Sequence, residues 1–140
     1  MGHSAPKIAT IEGIVQEIEA ILGSMLIETV DHADELGFIV QREALSQAMT
    51  LLRDRAQYQQ LMEIAGVDYP DRPERFEVAY HLLSVTRNHR IRVKVSTDED
   101  KPVPTVTHIW PVAGWLEREV FDMYGVVFEG NADRRRILTD

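Results

Sequence analysis

The sequence contains no cysteine. That excludes disulfides, thiolate catalysis and a cysteine-ligated iron–sulfur cluster held by this chain. No apolar run reaches the length a bilayer-crossing helix needs, and the N-terminus lacks the basic region and hydrophobic core of a secretory signal. Positive charge is scarce: 15 lysines and arginines face 23 aspartates and glutamates, for a net charge of −8. A nucleic-acid binder normally carries a basic footprint, so the balance argues against that class. No P-loop follows a strand, and no glycine-rich dinucleotide fingerprint is present. The histidines, His3, His32, His81, His89 and His108, are scattered without an i,i+4 pair or metal-ligand spacing. The carboxylates of Thr97–Pro104 lack the glycine and distal glutamate of a calcium loop. Repeats, low-complexity tracts and a dividing linker are also missing.

What is present fits one domain over residues 1–140. The length supports a real core but not two of them, and 44% hydrophobic with 27% charged residues is ordinary for a globular protein. Ile11–Leu22 has its apolar residues at helical spacing, with Thr10 as N-cap and Gly23 as stop. Met25–Val30 and Gly37–Gln41 read as strands joined in a hairpin across the polar turn His32–Leu36. Arg42–Ala56 reads as a second helix with Leu45, Ala48, Met49 and Leu52 inward. Leu61–Val67 is a third strand, and Asp68–Glu74, with its two prolines, is a loop.

Phe76–Ser96 carries the clearest strand pattern. Phe76, Val78, Tyr80 and Leu82 alternate before a turn at Arg87-Asn88-His89, and Ile91, Val93 and Val95 alternate after it. Placing Leu82 opposite Val93 puts both apolar sets on one side, which is the constraint that fixes register. The opposite face carries His81, Arg90, Arg92 and Lys94 beside Leu83 and Val85, a basic surface on an acidic protein. It is either a solvated sheet face or a contact for an acidic partner. Thr97–Pro104 reads as a mobile acidic loop. Hairpins with helices between them give an α+β two-layer sandwich, a largely antiparallel sheet with helices packed on one face. The strand order does not follow from these patterns.

The last thirty-one residues, Trp110–Asp140, differ in kind. Pro111 suits the first turn of a helix and Gly125 its stop. Ala113, Leu116, Val120 and Met123 form an inward apolar stripe. Trp115, Arg118, Glu119 and Asp122 fall at i, i+3, i+4 and i+7, so an indole and charges share a second stripe. One reading is a solvated face with Arg118 paired to Asp122. Another is a core tryptophan under a charged rim. Glu117, Glu119 and Asp122 as an acid/base set is weaker than ion pairing with Arg118 between them. Tyr124 and Phe121 fit burial against the sheet better than stacking on a ligand.

These residues carry a resemblance. E-R-E-V-F-D-M-Y-G (Glu117–Gly125), then Phe128, then D-R-R-R-I-L-T-D (Asp133–Asp140), is similar to the signature of the thirty-kilodalton subunit of proton-translocating NADH:quinone oxidoreductase, respiratory complex I. The similarity extends back through Trp110-Pro111, Arg75–Ser84 and Gly66–Pro70. The chain departs from the family's usual His-Pro at Asn131-Ala132 and from its usual leucine at Arg134. Family members commonly continue past Thr139-Asp140, so the resemblance implies a shortened C-terminus.

The resemblance implies the same α+β class and a cofactor-free, extramembrane subunit of the peripheral arm. Partners would be other peripheral-arm subunits, chiefly the quinone-site, forty-nine-kilodalton subunit and adjacent iron–sulfur subunits. NADH, FMN, iron–sulfur clusters and quinone would reside in them. Glu117, Arg118, Glu119, Asp122, Gly125, Arg135 and Arg136 match the family's signature as structural or interface positions, with Tyr124 in the same block and Trp115 as a buried anchor on assembly. Three other readings stand beside it. One is the equivalent subunit of a membrane-bound hydrogenase or photosynthetic NDH-type complex. Another is a small enzyme using His81 or His89. The third is a homo-oligomeric binding module using the basic sheet face.

Overall fold

A computed structural model describes residues 11–32 and 35–131. Helix α1 (Ile14–Leu22) is followed by the hairpin β1 (Leu26–His32) and β2 (Glu35–Val40), then helix α2 (Leu45–Asp54), then β3 (Gln60–Asp68), β4 (Phe76–Ser84) and β5 (His89–Thr97). A two-residue strand β6 (Val103–Pro104), helix α3 (Ala113–Tyr124) and a two-residue strand β7 (Phe128–Glu129) complete it. The five-stranded sheet has the order β1-β2-β5-β4-β3, antiparallel except where β2 meets β5, and β6 pairs in parallel with β7. The largely antiparallel α+β reading therefore holds.

One face of the sheet holds the core. Alternate residues Val78, Tyr80 and Leu82 of β4 and Ile91, Val93 and Val95 of β5 are fully or almost fully buried. Above them lie Ile14, Ile18 and Leu22 of α1 and Leu45, Ala48, Met49 and Leu52 of α2, as their helical spacing requires. Gly23 follows α1 with φ 53° and ends it. α1 starts three residues later than its apolar pattern, with Ile11 half exposed before it.

Two sequence expectations about the sheet change. Leu82 faces Ile91, not Val93, and Ser84 faces His89. The register differs by two residues, which keeps every side chain on its expected face. The reason is the loop. Val85–Asn88 closes it with the Asn88 amide donating to the Val85 carbonyl (3.3 Å), and Asn88 takes the left-handed conformation at φ 50°. Arg87 is drawn inward, where its guanidinium reaches Glu17 Oε2 at 2.9 Å and the Ala56 carbonyl at 3.1 Å. The opposite sheet face is not simply basic. Glu35 pairs with Arg92 and with Lys94, and Glu77 sits 3.5 Å from Arg72 and 4.0 Å from Lys94. Burial works against the Glu35 charge, but hydrogen bonding from Lys94 and the nearby Arg92 and Lys94 charges hold its carboxyl below the ordinary value. Nor is Thr97–Pro104 a free loop throughout. It ends in β6, whose Val103 amide donates to the Val127 carbonyl at 2.9 Å.

α3 packs against β3 at the sheet margin. At Gly66 the Tyr124 ring lies on the strand and the Tyr124 hydroxyl donates to the Gly66 carbonyl at 3.0 Å. A β-carbon at Gly66 would stand 2.5 Å from Tyr124 Cε2. Gly66→Ala is therefore expected to destabilise the chain by about 1–3 kcal/mol through overpacking, read as a lower urea midpoint. An unchanged midpoint would contradict this contact.

Candidate functional site

The site is built by the rotation of α3 about its axis, and one carboxylate sets that rotation. Glu117 is fully buried. Its Oε1 accepts from the Thr105 hydroxyl at 2.7 Å and from Asn131 Nδ2 at 2.9 Å, and its Oε2 accepts from the Val106 amide at 2.9 Å. Thr105 and Val106 precede the helix and Asn131 follows it, so one side chain ties both flanks of α3 to its middle. Burial pushes the Glu117 carboxyl above its ordinary value, while the Val106, Thr105 and Asn131 donors pull it back without cancelling the rise. Sequence pattern placed Glu117 among ion-paired surface charges. The structure corrects that: no cation pairs with it among the described residues. Its partners lie eleven to fourteen residues away in sequence, beyond the reach of helical spacing rules.

With Glu117 inward, Ala113 and Val120 also face the core. Met123, expected on the inward stripe, is instead 74% exposed and lines an open groove beside β3. Trp115 is 61% exposed, so it is not a core residue. The Arg118 guanidinium lies 5.7 Å from the Trp115 ring centroid, within cation–π range, and 3.8 Å from Asp122 one turn on. Exposed pairs of this kind contribute at most about 1 kcal/mol. They set the guanidinium beside the indole on one face of the helix. Glu119 and Asp122 are exposed on the same side. Trp115, Arg118, Glu119 and Asp122 thus share one solvent face, as their spacing indicated.

Tyr124 and Gly125 have internal roles. Tyr124 sits on Gly66 and against Phe76 at 5.8 Å between ring centroids, as burial against the sheet implied. Gly125 ends α3 at φ 77°, a conformation that strains any side chain. Arg135 and Arg136 lie outside the described residues. Glu117, Glu119 and Asp122 do not converge, so they form no acid/base set. His89 Nδ1 is 2.8 Å from the Tyr58 hydroxyl, and His81 lies on the opposite face of the sheet from the helices. Among the described residues no three His, Cys, Asp or Glu side chains cluster at metal-binding distance.

The sequence pattern gave no sign of the core neighbour of Glu117. The Tyr80 hydroxyl is fully buried without a hydrogen-bond partner among the described residues, and burial followed by the Glu117 charge pushes its pKa well above the ordinary value. A buried orphan hydroxyl costs about 1–3 kcal/mol. Tyr80→Phe is therefore expected to raise stability by about 1 kcal/mol in denaturant unfolding, and a loss of stability would show that the hydroxyl is used. Glu117→Gln swaps an acceptor for a donor facing other donors and is expected to cost about 1–3 kcal/mol. The Glu117 pKa is raised in the folded chain, so its stabilising contribution is complete below the ordinary value of 4.5 and declines as pH rises through the folded value. The gap between wild type and Glu117→Gln should therefore be wider in acid than at neutral pH in paired thermal melts. A gap that widens toward neutral pH would contradict the burial argument.

The model of the respiratory-chain NADH dehydrogenase 30 Kd subunit family matches residues 38–140. An NADH-quinone oxidoreductase subunit of Erythrobacter litoralis is 59% identical over 138 residues, covering 99% of this chain and 55% of that protein. The chain spans about half the length of the curated relatives it matches. Among solved structures, a trypsin-resistant fragment of Nqo5 superimposes with a TM-score of 0.75 at 34% identity, covering 88% of this chain and 98% of the fragment. A chain of the archaeal membrane-bound sulfane sulfur reductase, a respiratory membrane complex, gives a TM-score of 0.75 at 31% identity, covering 87% of this chain and 72% of its own. With a match over residues 38–140 and these similarities along almost the whole described fold, the chain belongs to the 30 kDa subunit family of respiratory-chain NADH dehydrogenase.

Proposed function

We propose that the chain is a peripheral-arm subunit of an NADH:quinone oxidoreductase, the complex I or NDH-1 type, and that it works as a cofactor-free brace. The oxidoreductase activity, coupled to proton translocation, belongs to the assembly. NADH, FMN, iron–sulfur clusters and quinone are bound by partner subunits. Those partners are chiefly the quinone-site, forty-nine-kilodalton subunit and the adjacent iron–sulfur subunits. The chain lies peripherally through the complex, on the cytoplasmic side of a bacterial inner membrane or the matrix side of a mitochondrial one. No described helix is long and apolar enough to cross a bilayer.

The observation that carries the reading is the outward face of α3. A tryptophan left 61% exposed on a helix whose other side is locked by a buried carboxylate has no role in the chain's own core. Large aromatics and arginines dominate protein interfaces because they bury much area with little rotamer loss. Arg118 lies beside the ring on the same face, so an indole and a guanidinium are presented together. Glu119 and Asp122 supply acceptors for a partner's arginine fork, and Arg135 and Arg136, by their residue type, are proposed as donors to partner carboxylates.

A second reading has one observation in its favour: a respiratory complex with a different terminal chemistry contains a chain of this fold. The identity of 59% to an NADH-quinone oxidoreductase subunit, against 31% for that chain, favours the first.

Trp115→Asp, and separately charge reversal at Arg135 with Arg136, should sharply reduce recovery of the assembled complex from membranes. The same variants of the isolated chain should unfold within about 0.5 kcal/mol of wild type, as surface changes do. Normal assembly together with reduced stability would mean that these residues serve the fold instead.

A further inference from the structure

We infer that the buried Glu117 carboxyl takes up and returns a proton through the hydroxyls of Thr105 and Thr107, and that α3 keeps the same contacts in both charge states. This holds whichever partner covers Trp115. Thr105 Oγ1 has three polar neighbours: Glu117 Oε1 at 2.7 Å, Thr107 Oγ1 at 3.1 Å and the Thr107 amide nitrogen at 3.2 Å. A hydroxyl has one hydrogen to donate and two lone pairs to accept with. Three neighbours fill that capacity in two ways. With Glu117 charged, Thr105 donates to Oε1 and accepts from the Thr107 amide and the Thr107 hydroxyl. With Glu117 protonated, Oε1–H donates to Thr105, and the Thr105 hydrogen turns to Thr107 Oγ1. The amide bond is the same in both, and no heavy atom has to move.

The other two donors suit both states as well. The Val106 amide donates to Oε2, which stays an acceptor, and Asn131 Nδ2 donates to Oε1, which keeps a lone pair when it carries the proton. Glu117→Gln does not reproduce the acid form, because an amide nitrogen at Oε1 cannot accept from Asn131. The path leads outward: Glu117 is fully buried, and Thr105 and Thr107 are partly exposed. A proton from water binds Thr107 Oγ1, the Thr107 hydrogen passes to Thr105, and the Thr105 hydrogen passes to Oε1. The net change is one proton on Glu117. No charged side chain contributes to the raised Glu117 value; burial opposes the hydroxyl, amide and carboxamide donors alone. His108 in the preceding turn is exposed and bonded to Ser46, Glu129 of β7 and Glu119 of α3 are exposed, and Arg118 reaches Asp122. Tyr80 of β4 is the titratable neighbour that senses the Glu117 charge.

The 140-residue chain, isotope-labelled at its glutamate carboxyls, tests this by NMR titration, with Glu117→Gln assigning the signal. Glu117 should titrate above the ordinary value of 4.5. Nuclear Overhauser contacts from α3 to Gly66, Val106 and Asn131 should be the same on both sides of that titration. Thr107→Val removes the acceptor that the Thr105 hydrogen needs only in the acid form. The proton affinity of Glu117 should therefore fall about three- to ten-fold, the loss of one ordinary hydrogen bond. Thr107→Ala removes the same oxygen with less steric demand and should act alike, whereas Thr107→Ser should stay within about two-fold of wild type. An unchanged or raised affinity in both Thr107→Val and Thr107→Ala overturns the relay, because Thr105 or water then completes the acid form alone. An equal fall in Thr107→Ser overturns it too, since the effect then follows the lost methyl and not the hydroxyl. Loss of the α3 contacts in either charge state overturns the common set of contacts.

Discussion

The Glu117 carboxylate is the contact on which the rest of α3 depends. It is fully buried, and it is held by a hydroxyl, an amide nitrogen and a carboxamide drawn from both flanks of the helix. Taking a carboxyl out of water is costly, and only good donor geometry makes it tolerable. The three donors fix the helix in rotation as well as position. Turning α3 by one residue would bury a different side chain and take the acceptor away from the Val106 amide. The outward placement of Trp115, Arg118, Glu119 and Asp122 is therefore a consequence of what Glu117 does on the inside.

The same element is fastened along its length by contacts of other kinds. Trp110 Nε1 donates to the Gln59 carbonyl at 2.7 Å just before α3, Tyr124 lies on Gly66 at its last turn, and β7 returns to pair with β6. None of these contacts uses the outer face. The sheet divides in a similar way. Its inner face is apolar and covered by α1 and α2, while its open face is zipped by Glu35 and Glu77 among Arg72, Arg92 and Lys94. A chain whose own stability is supplied elsewhere can leave a tryptophan at its surface for a partner.

Much of the fold was legible because it depends on local periodicity. The buried residues of α1 and α2 and the alternation in β4 and β5 follow from spacings of 3.6 and 2. The register of β4 on β5 was not legible, because the loop is drawn shut by Arg87 reaching Glu17, seventy residues away in sequence. The open face read as basic because Glu35 belongs to another strand than Arg92 and Lys94. At the site, the shared face of Trp115, Arg118, Glu119 and Asp122 was visible from spacing alone. The inward turn of Glu117 was not, since a charged residue in a charged run carries no mark of burial. Met123 misled for the opposite reason: its spacing fits the apolar stripe, but it lines an open groove beside β3 and stays exposed.

The central claim is that Trp115 is displayed by the fold and covered only by a partner. Oxidative footprinting of tryptophan in the free chain and in the membrane-extracted complex tests it directly, with buried Trp110 as the internal reference. Trp115 should react readily in the free chain and become protected in the complex, while Trp110 stays unreactive in both. Equal reactivity of Trp115 in the two states would contradict the account.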